Sequence, residues 1–116
     1  MNSNSIFEIF NHFVETRDPS QMLSLADNVE IFSSSTFGDG RTYIGEQAPA
    51  KFRDTISIAK VRRPKIYIDV KHAVISEEYS KFFLEISKGK KSSGSTLDII
   101  VKQGKLTCFH EASAKV

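Results

Sequence analysis

GSTLDIIVKQGKLTCF, at residues 94–109, predicts two short strands joined by a tight Gln103-Gly104 turn. Side chains alternate between the two faces of a strand, so the segment divides into two sets. One face is wholly apolar and consists of Leu97, Ile99, Val101, Leu106 and Cys108. The other face is mixed and consists of Thr96, Asp98, Ile100, Lys102, Thr107, Phe109 and Glu111. This hairpin predicts an antiparallel sheet with one face on the core.

Asp98 is the carboxylate in the middle of this segment, and its orientation has two interpretations. The apolar face favours Asp98 as an outward residue, on a polar or dimer-facing surface. A register shift of one residue would turn it into the interior, because such a slip reverses every side chain. There Ile100 and Phe109 would enclose the carboxyl group, which could then act as an acid or hydrogen-bond donor.

Two helices are predicted before the first strand. Ser5 and Glu8 have the spacing of a capping box, and an apolar stripe then runs to about Arg17. Asp18-Pro19-Ser20-Gln21 repeats the start signal and predicts a short helix to about Ala26. The stripe of the first helix consists of Ile6, Phe10, Phe13 and Val14.

The apolar period then changes to two, which predicts a strand from Asn28 to a Gly38-Asp39-Gly40 turn, with Val29, Ile31 and Ser33 on one side. A third helix begins at Gly45-Glu46-Gln47 and ends before Pro64. Its predicted buried stripe consists of Ala48, Phe52, Ile56 and Ala59.

Beyond Pro64 the sequence alternates through further strands, including 66–70 and 79–87, and no βαβ repeat is present. This order predicts an α+β fold in which three N-terminal helices pack on a strongly curved, mainly antiparallel sheet.

Composition predicts one soluble domain spanning residues 1–116, since 40% of the residues are apolar and 26% are charged. The single Cys108 cannot form an internal disulfide. The polar start and the lack of a long apolar run predict a cytoplasmic protein with no membrane segment. His72 and His110 have no ligating neighbour at a suitable spacing, so neither a metal nor another cofactor is predicted.

The net charge of +2 is too small to imply a polyanionic partner. Two basic clusters stand out, at residues 60–65 and 88–91. Because neither contains the interleaved aromatic residues of a base-stacking surface, we interpret both as solvated loop charge and predict no nucleic-acid partner.

The order of elements, with LADNVEIF at 25–32, YIGEQAPAKF at 43–52 and GKLTCF at 104–109, resembles the nuclear-transport-factor-2-like (NTF2-like) superfamily. The pattern is most similar to its ketosteroid-isomerase and SnoaL-like polyketide-cyclase branches. The resemblance spans about residues 6–113. It implies a cone-shaped domain with an apolar pocket, commonly paired into homodimers through the outer sheet face. Isomerases, cyclases, hydrolases and transport adaptors all occur on this fold, so the site must decide the function.

In the isomerase branch, a tyrosine, a general-base aspartate and a protonated aspartic acid carry the reaction. On this chain the tyrosine position matches Phe10 and the base position matches Ile31, so both polar roles are lost. The third role matches Asp98 in one of its two registers. Without a base, the isomerase reaction itself is not expected.

We therefore expect a small-molecule-binding protein with an apolar ligand, and the sequence leaves open whether it is an isomerase-, cyclase- or hydrolase-like enzyme. Asp98 is the first candidate for acid/base catalysis, and His12 on the first helix is the second. The alternative is a non-catalytic, dimeric scaffold or adaptor with a filled core. The predicted pocket residues are Phe10, Phe13, Ile31, Phe52 and Ile56.

Overall fold

The computed structural model describes residues 2–113 of the chain. Within them, three helices and six strands are present. They follow the order expected from the sequence, except that one of the six strands, a short one, was not predicted. The helices are α1 (Ser3–Thr16), α2 (Ser20–Leu23) and α3 (Ala48–Arg62). The strands are β1 (Ala26–Ser33), β2 (Thr42–Ile44), β3 (Tyr67–Ile75), β4 (Tyr79–Lys88), β5 (Lys91–Lys102) and β6 (Lys105–Ser113).

All six strands form one sheet in the order β2-β1-β6-β5-β4-β3. The pair β1 and β6 is parallel, whereas the other four pairs are antiparallel. The predicted α+β class with a mainly antiparallel sheet is therefore confirmed. The two-residue Gln103-Gly104 turn is also present, and both residues have the positive φ angles that such a hairpin requires, 51° and 76°.

The helices are not all N-terminal, which corrects the sequence prediction. The third helix, α3, follows β1 and β2, and α2 is only a single turn of 4 residues. The first helix also starts earlier than the predicted capping box. The Asn2 side chain accepts a hydrogen bond from the Ser5 amide at 2.9 Å, so Ser5 lies inside the first turn instead of capping it.

A β-bulge at Thr107 determines which residues of β6 face the core. Ile100 pairs with Cys108, whereas the next residue of β5, Val101, pairs with Leu106. Thr107 is therefore an extra residue, and two residues of β6 oppose one residue of β5. Beyond the bulge the alternation is reversed relative to the sequence prediction. Phe109 and Glu111 point inward, and Cys108 points outward.

The core lies between the inner face of the sheet and the helices. The predicted stripe of α3 is confirmed, since all four of its residues are buried. Phenylalanine rings dominate the interior, and the centroid of the Phe13 ring is 4.8 Å from that of Phe37 and 5.6 Å from that of Phe109. The fully buried rings are Phe10, Phe13, Phe37, Phe52, Phe82 and Phe109.

Candidate functional site

The five residues predicted to line a pocket belong to the packed core. Phe13 and Phe52 have ring centroids 6.4 Å apart, and the Phe52 and Phe109 centroids are 5.2 Å apart. These spacings are those of aromatic rings in direct contact. None of the five side chains is more than 1% exposed: Phe10, Phe13, Ile31, Phe52 and Ile56. All five belong to one cluster of buried hydrophobic residues. Their role in ligand binding stays a prediction.

Asp98 lies on the outer face of the sheet. Its neighbours Leu97 and Ile99 are fully buried, so the alternation of β5 directs Asp98 away from the core. The Tyr79 hydroxyl donates a hydrogen bond to Asp98, and Lys81 Nζ lies 3.7 Å from its carboxylate. The hydrogen bond to Asp98, followed by partial burial, raises the pKa of Tyr79. The outward interpretation of Asp98 is therefore the orientation found, and the interior one is not.

His12 is exposed on α1, and its backbone carbonyl accepts a hydrogen bond from the Thr16 hydroxyl at 2.7 Å. The phenylalanine that follows it, Phe13, is fully buried, so the two adjacent side chains leave the helix in different directions. The two predicted catalytic residues thus lie on a helix surface and on the outer face of the sheet. Neither points into the interior.

Cys108 is half-buried on the outer face. It pairs with Ile100, which is two residues along β5 from Asp98. Burial raises the pKa of its thiol, and the negative charges of Glu30 and Asp98 raise it further. A raised pKa leaves less thiolate at neutral pH, which is unlike a reactive cysteine.

Among residues 2–113, Glu111 is the buried carboxylate, with an exposed fraction of 0%. Three serine hydroxyls donate to it. Ser33 Oγ lies 2.7 Å from Oε1, Ser34 Oγ lies 2.9 Å from Oε1 and 3.0 Å from Oε2, and Ser95 Oγ bonds Oε2. We call these four residues the Glu111 cluster. They come from the end of β1, the residue after it, β5 and β6.

The fold brings these residues together at one end of the sheet. Ser33 is paired with Glu111 across the parallel β1–β6 ladder, and the Ser34 amide donates to the Glu111 carbonyl at 3.1 Å. Ser95 is on the neighbouring strand, two residues from Leu97, which pairs with Glu111. Burying a carboxylate is costly unless its acceptor oxygens are hydrogen-bonded. The three hydroxyls meet this need without a basic residue.

Two cavities, of about 490 and 430 Å³, share Ser35 and Arg63 in their walls. The smaller one adjoins the Glu111 cluster. The link is Thr36, which is 8% exposed and whose hydroxyl accepts from Ser34 Oγ at 3.3 Å. We call this smaller one the serine-lined cavity. It is lined by Ser35, Thr36, Arg63, Ile66, Ile86, Lys88, Lys91, Ser92, Ser93 and Ser113.

The Glu111 cluster was not predicted, because the bulge cannot be recognised from the alternation of the sequence. One signal was available in β1. Ser33 shares its predicted face with Val29 and Ile31, and a hydroxyl on a core face needs a hydrogen-bond partner. That partner is Glu111, which is 78 residues away in the chain.

Metal binding and helical membrane spans are two further questions for residues 2–113. No group of three or more histidine, cysteine, aspartate or glutamate side chains is arranged to hold a metal ion there. No helix in the same range is long and apolar enough to cross a membrane.

Comparison with known proteins identifies the fold. No protein-family model and no curated protein sequence matches the chain. Among solved structures, an NTF2-like protein of unknown function from Mesorhizobium loti is similar, with a TM-score of 0.72 and 17% identity, over 97% of this chain and 90% of that one.

Two other similar structures have suggested activities. A proposed ketosteroid isomerase from Kribbella flavida has a TM-score of 0.70 and 9% identity, over 97% of this chain and 77% of that one. A proposed polyketide cyclase from Sinorhizobium meliloti has a TM-score of 0.71 and 9% identity, over 93% of this chain and 94% of that one. The chain therefore has the NTF2-like fold. At these identities the likeness extends to the fold alone.

Proposed function

We propose that this protein binds a small molecule in the serine-lined cavity, next to the Glu111 cluster. The observation that carries the proposal is the fully buried carboxylate of Glu111, which is connected through Ser34 and Thr36 to the wall of that cavity. The cavity, at about 430 Å³, is within the usual size range of ligand sites.

The energetics of burial support a functional role for Glu111. Buried ionic groups are often replaceable by apolar side chains without loss of stability, so packing alone gives little reason to place a carboxylate here. Ligand sites contain a few polar groups that converge on the cavity, and the Glu111 cluster reaches the cavity wall through Thr36. Glu111 takes the place that the sequence analysis gave to Asp98, as the interior carboxylate.

The cavity wall suggests the chemistry of the ligand. Ile66 and Ile86 offer apolar contact, whereas Arg63, Lys88 and Lys91 offer positive charge. The remaining side chains are hydroxyls, which donate and accept hydrogen bonds. We therefore propose a ligand that has an apolar part and an oxygen-rich or anionic part, and not the wholly apolar molecule that the sequence suggested.

An acid/base reaction at this site would use Glu111 through its hydroxyl neighbours. Ser34 has one hydroxyl proton, which it donates either to Glu111 or to Thr36, and Thr36 is in the cavity wall. When Ser34 donates to Glu111, Ser34 Oγ can accept from the Thr36 hydroxyl. Thr36 would then take a proton from the ligand as it passes its own proton to Ser34, and Ser34 would pass its proton to Glu111. This route supports an isomerase- or cyclase-like activity as the finer form of the proposal.

Ser93→Phe tests the binding proposal, because Ser93 is exposed and a phenylalanine there would fill the serine-lined cavity without entering the core. A library of small carboxylates, polyols and steroid-like ketones is screened by ligand-observed NMR. We expect ligands of the unmodified chain to lose binding by about tenfold or more in this variant.

Thr42→Phe is the matched control, since Thr42 is an exposed strand residue outside the lining of that cavity. It should bind as the unmodified chain does. Binding that survives Ser93→Phe, or that Thr42→Phe removes equally, would reject the serine-lined cavity as the site.

A homodimeric scaffold is the second candidate, and the outer face of the sheet supports it. Tyr67, Val74, Tyr79 and Phe83 are 38–72% exposed on the two adjacent strands β3 and β4. An apolar surface of this kind is typical of a protein–protein interface. We expect a dimer mass in sedimentation equilibrium, and Phe83→Glu should shift it to the monomer. A monomer before substitution would remove this candidate.

A further inference from the structure

The larger of the two cavities, at about 490 Å³, lies between the β1–β2 connection and the C-terminal half of α3. We call it the arginine-lined cavity. It is lined by Ser35, Gly38, Asp39, Gly40, Arg41, Thr55, Ile58, Ala59, Arg62 and Arg63. The basic residues at 60–65 were interpreted as solvated loop charge, but folding places two of them, Arg62 and Arg63, in the same cavity lining as Arg41.

The charge of this wall is strongly positive. The lining includes three arginines and one carboxylate, that of Asp39, which already accepts hydrogen bonds from the Arg41 amide at 3.1 Å and the Tyr43 hydroxyl at 2.5 Å. Among residues 2–113, neither Arg41 nor Arg62 forms an ion pair. Their side chains are therefore available to an external anion.

Arg63 is held in position from two sides. Its carbonyl accepts a hydrogen bond from Arg17 Nη1 at 2.9 Å, and its own guanidinium donates to the Ser35 carbonyl. The contact between Arg63 and Ser35 separates the arginine-lined cavity from the serine-lined one, because both residues line both cavities. The backbone at this end of the site is thus fixed before any ligand binds.

The same wall has an apolar part. Ile58 is 52% exposed on α3, and Ala59 follows it. An exposed isoleucine beside three arginines gives the cavity an apolar surface next to a cationic one. This combination suits a molecule with both an anionic group and an uncharged body.

We propose that the arginine-lined cavity is a second binding site, for the phosphate group of a small phosphorylated molecule. Three arginines and one aspartate give the wall a net charge of +2. A phosphate monoester carries about −1.5 to −2 at neutral pH, whereas a carboxylate carries a single charge. Arginine also offers paired N–H donors that match phosphate oxygens. The site is separate from the proposed function, since Arg41 and Arg62 do not line the serine-lined cavity.

The experiment measures binding of pyrophosphate, inorganic phosphate and acetate by isothermal titration calorimetry at constant ionic strength, set with sodium chloride. We expect pyrophosphate and phosphate to bind more tightly than acetate. The double substitution Arg41→Gln with Arg62→Gln should weaken pyrophosphate binding by about tenfold or more.

The double substitution Lys51→Gln with Arg53→Gln is the matched control, because it removes the same two charges from exposed positions of α3 outside the cavity lining. It should leave pyrophosphate binding within about twofold. An equal loss in this control would mean diffuse attraction to surface charge and would overturn the proposal.

Two other results would also overturn it: acetate binding as tightly as pyrophosphate, or no pyrophosphate binding by the unmodified chain. The double variant retains every residue of the serine-lined cavity, so ligands displaced by Ser93→Phe should still bind it. Failure of the phosphate site is therefore distinguishable from failure of the proposed function.

Discussion

Phe13→Ala should lower the free energy of unfolding by about 3–5 kcal/mol, a large part of the roughly 5–15 kcal/mol typical of a domain. The Phe13 ring is fully buried and contacts the rings of Phe37, Phe52 and Phe109. Truncation removes those contacts and leaves a cavity that three rigid rings cannot fill. Urea unfolding, followed by far-ultraviolet circular dichroism, measures the loss.

Phe7→Ala is the control on the same helix. Phe7 is 38% exposed and stacks on Phe82 with ring centroids 6.2 Å apart, so its truncation should cost only about 1 kcal/mol. A loss for Phe13→Ala as small as the one expected for Phe7→Ala would show that the interior is loosely packed. A loosely packed interior would return Phe13 to the role of a pocket residue.

Glu111→Ala should lower the free energy of unfolding by about 2–4 kcal/mol, because the hydroxyls of Ser33, Ser34 and Ser95 lose their shared acceptor inside the protein. The loss is smaller than the sum over three hydrogen bonds. Ser33 and Ser95 each have a backbone carbonyl within 3.1 Å as an alternative acceptor. The same urea titration measures it.

An apolar replacement of the whole cluster separates polar mismatch from lost packing. Glu111→Leu combined with Ser33→Ala, Ser34→Ala and Ser95→Ala removes the three hydroxyl donors together with their acceptor, and only the Thr36 amide, which donates to Ser34 Oγ at 3.4 Å, loses a partner. The variant should therefore recover most of the stability that Glu111→Ala loses. Glu30→Ala, at an exposed position of β1, should change stability by less than about 0.5 kcal/mol. A quadruple variant less stable than Glu111→Ala would mean that the cluster itself stabilises the fold.

Much of the architecture was predictable because it depends on local patterns. The stripe of α3 has helical spacing, and the Gln103-Gly104 turn has the residue types of a two-residue hairpin loop. The strand β2 was missed because its three residues are too few to show a period.

The site was much less predictable, for a physical reason that concerns single residues. Strict alternation put Glu111 on the same face as Asp98, and one unpaired residue at Thr107 places the two carboxylates on opposite faces. The cavities depend on segments far apart in the chain. Arg41 and Arg62 are 21 positions apart, and only the packing of α3 beside the β1–β2 connection brings them to one wall.

Thr107 is an extra residue in β6. Compared with a regular strand, every position of β6 beyond Thr107 is therefore one further from the hairpin turn. A related chain lacking that residue would build the same interior from a shorter strand. Aligned with this sequence without a gap, its inward carboxylate would be matched to His110. The counterpart of Glu111 in another protein should therefore be identified by superposing the two structures and not from an ungapped sequence alignment.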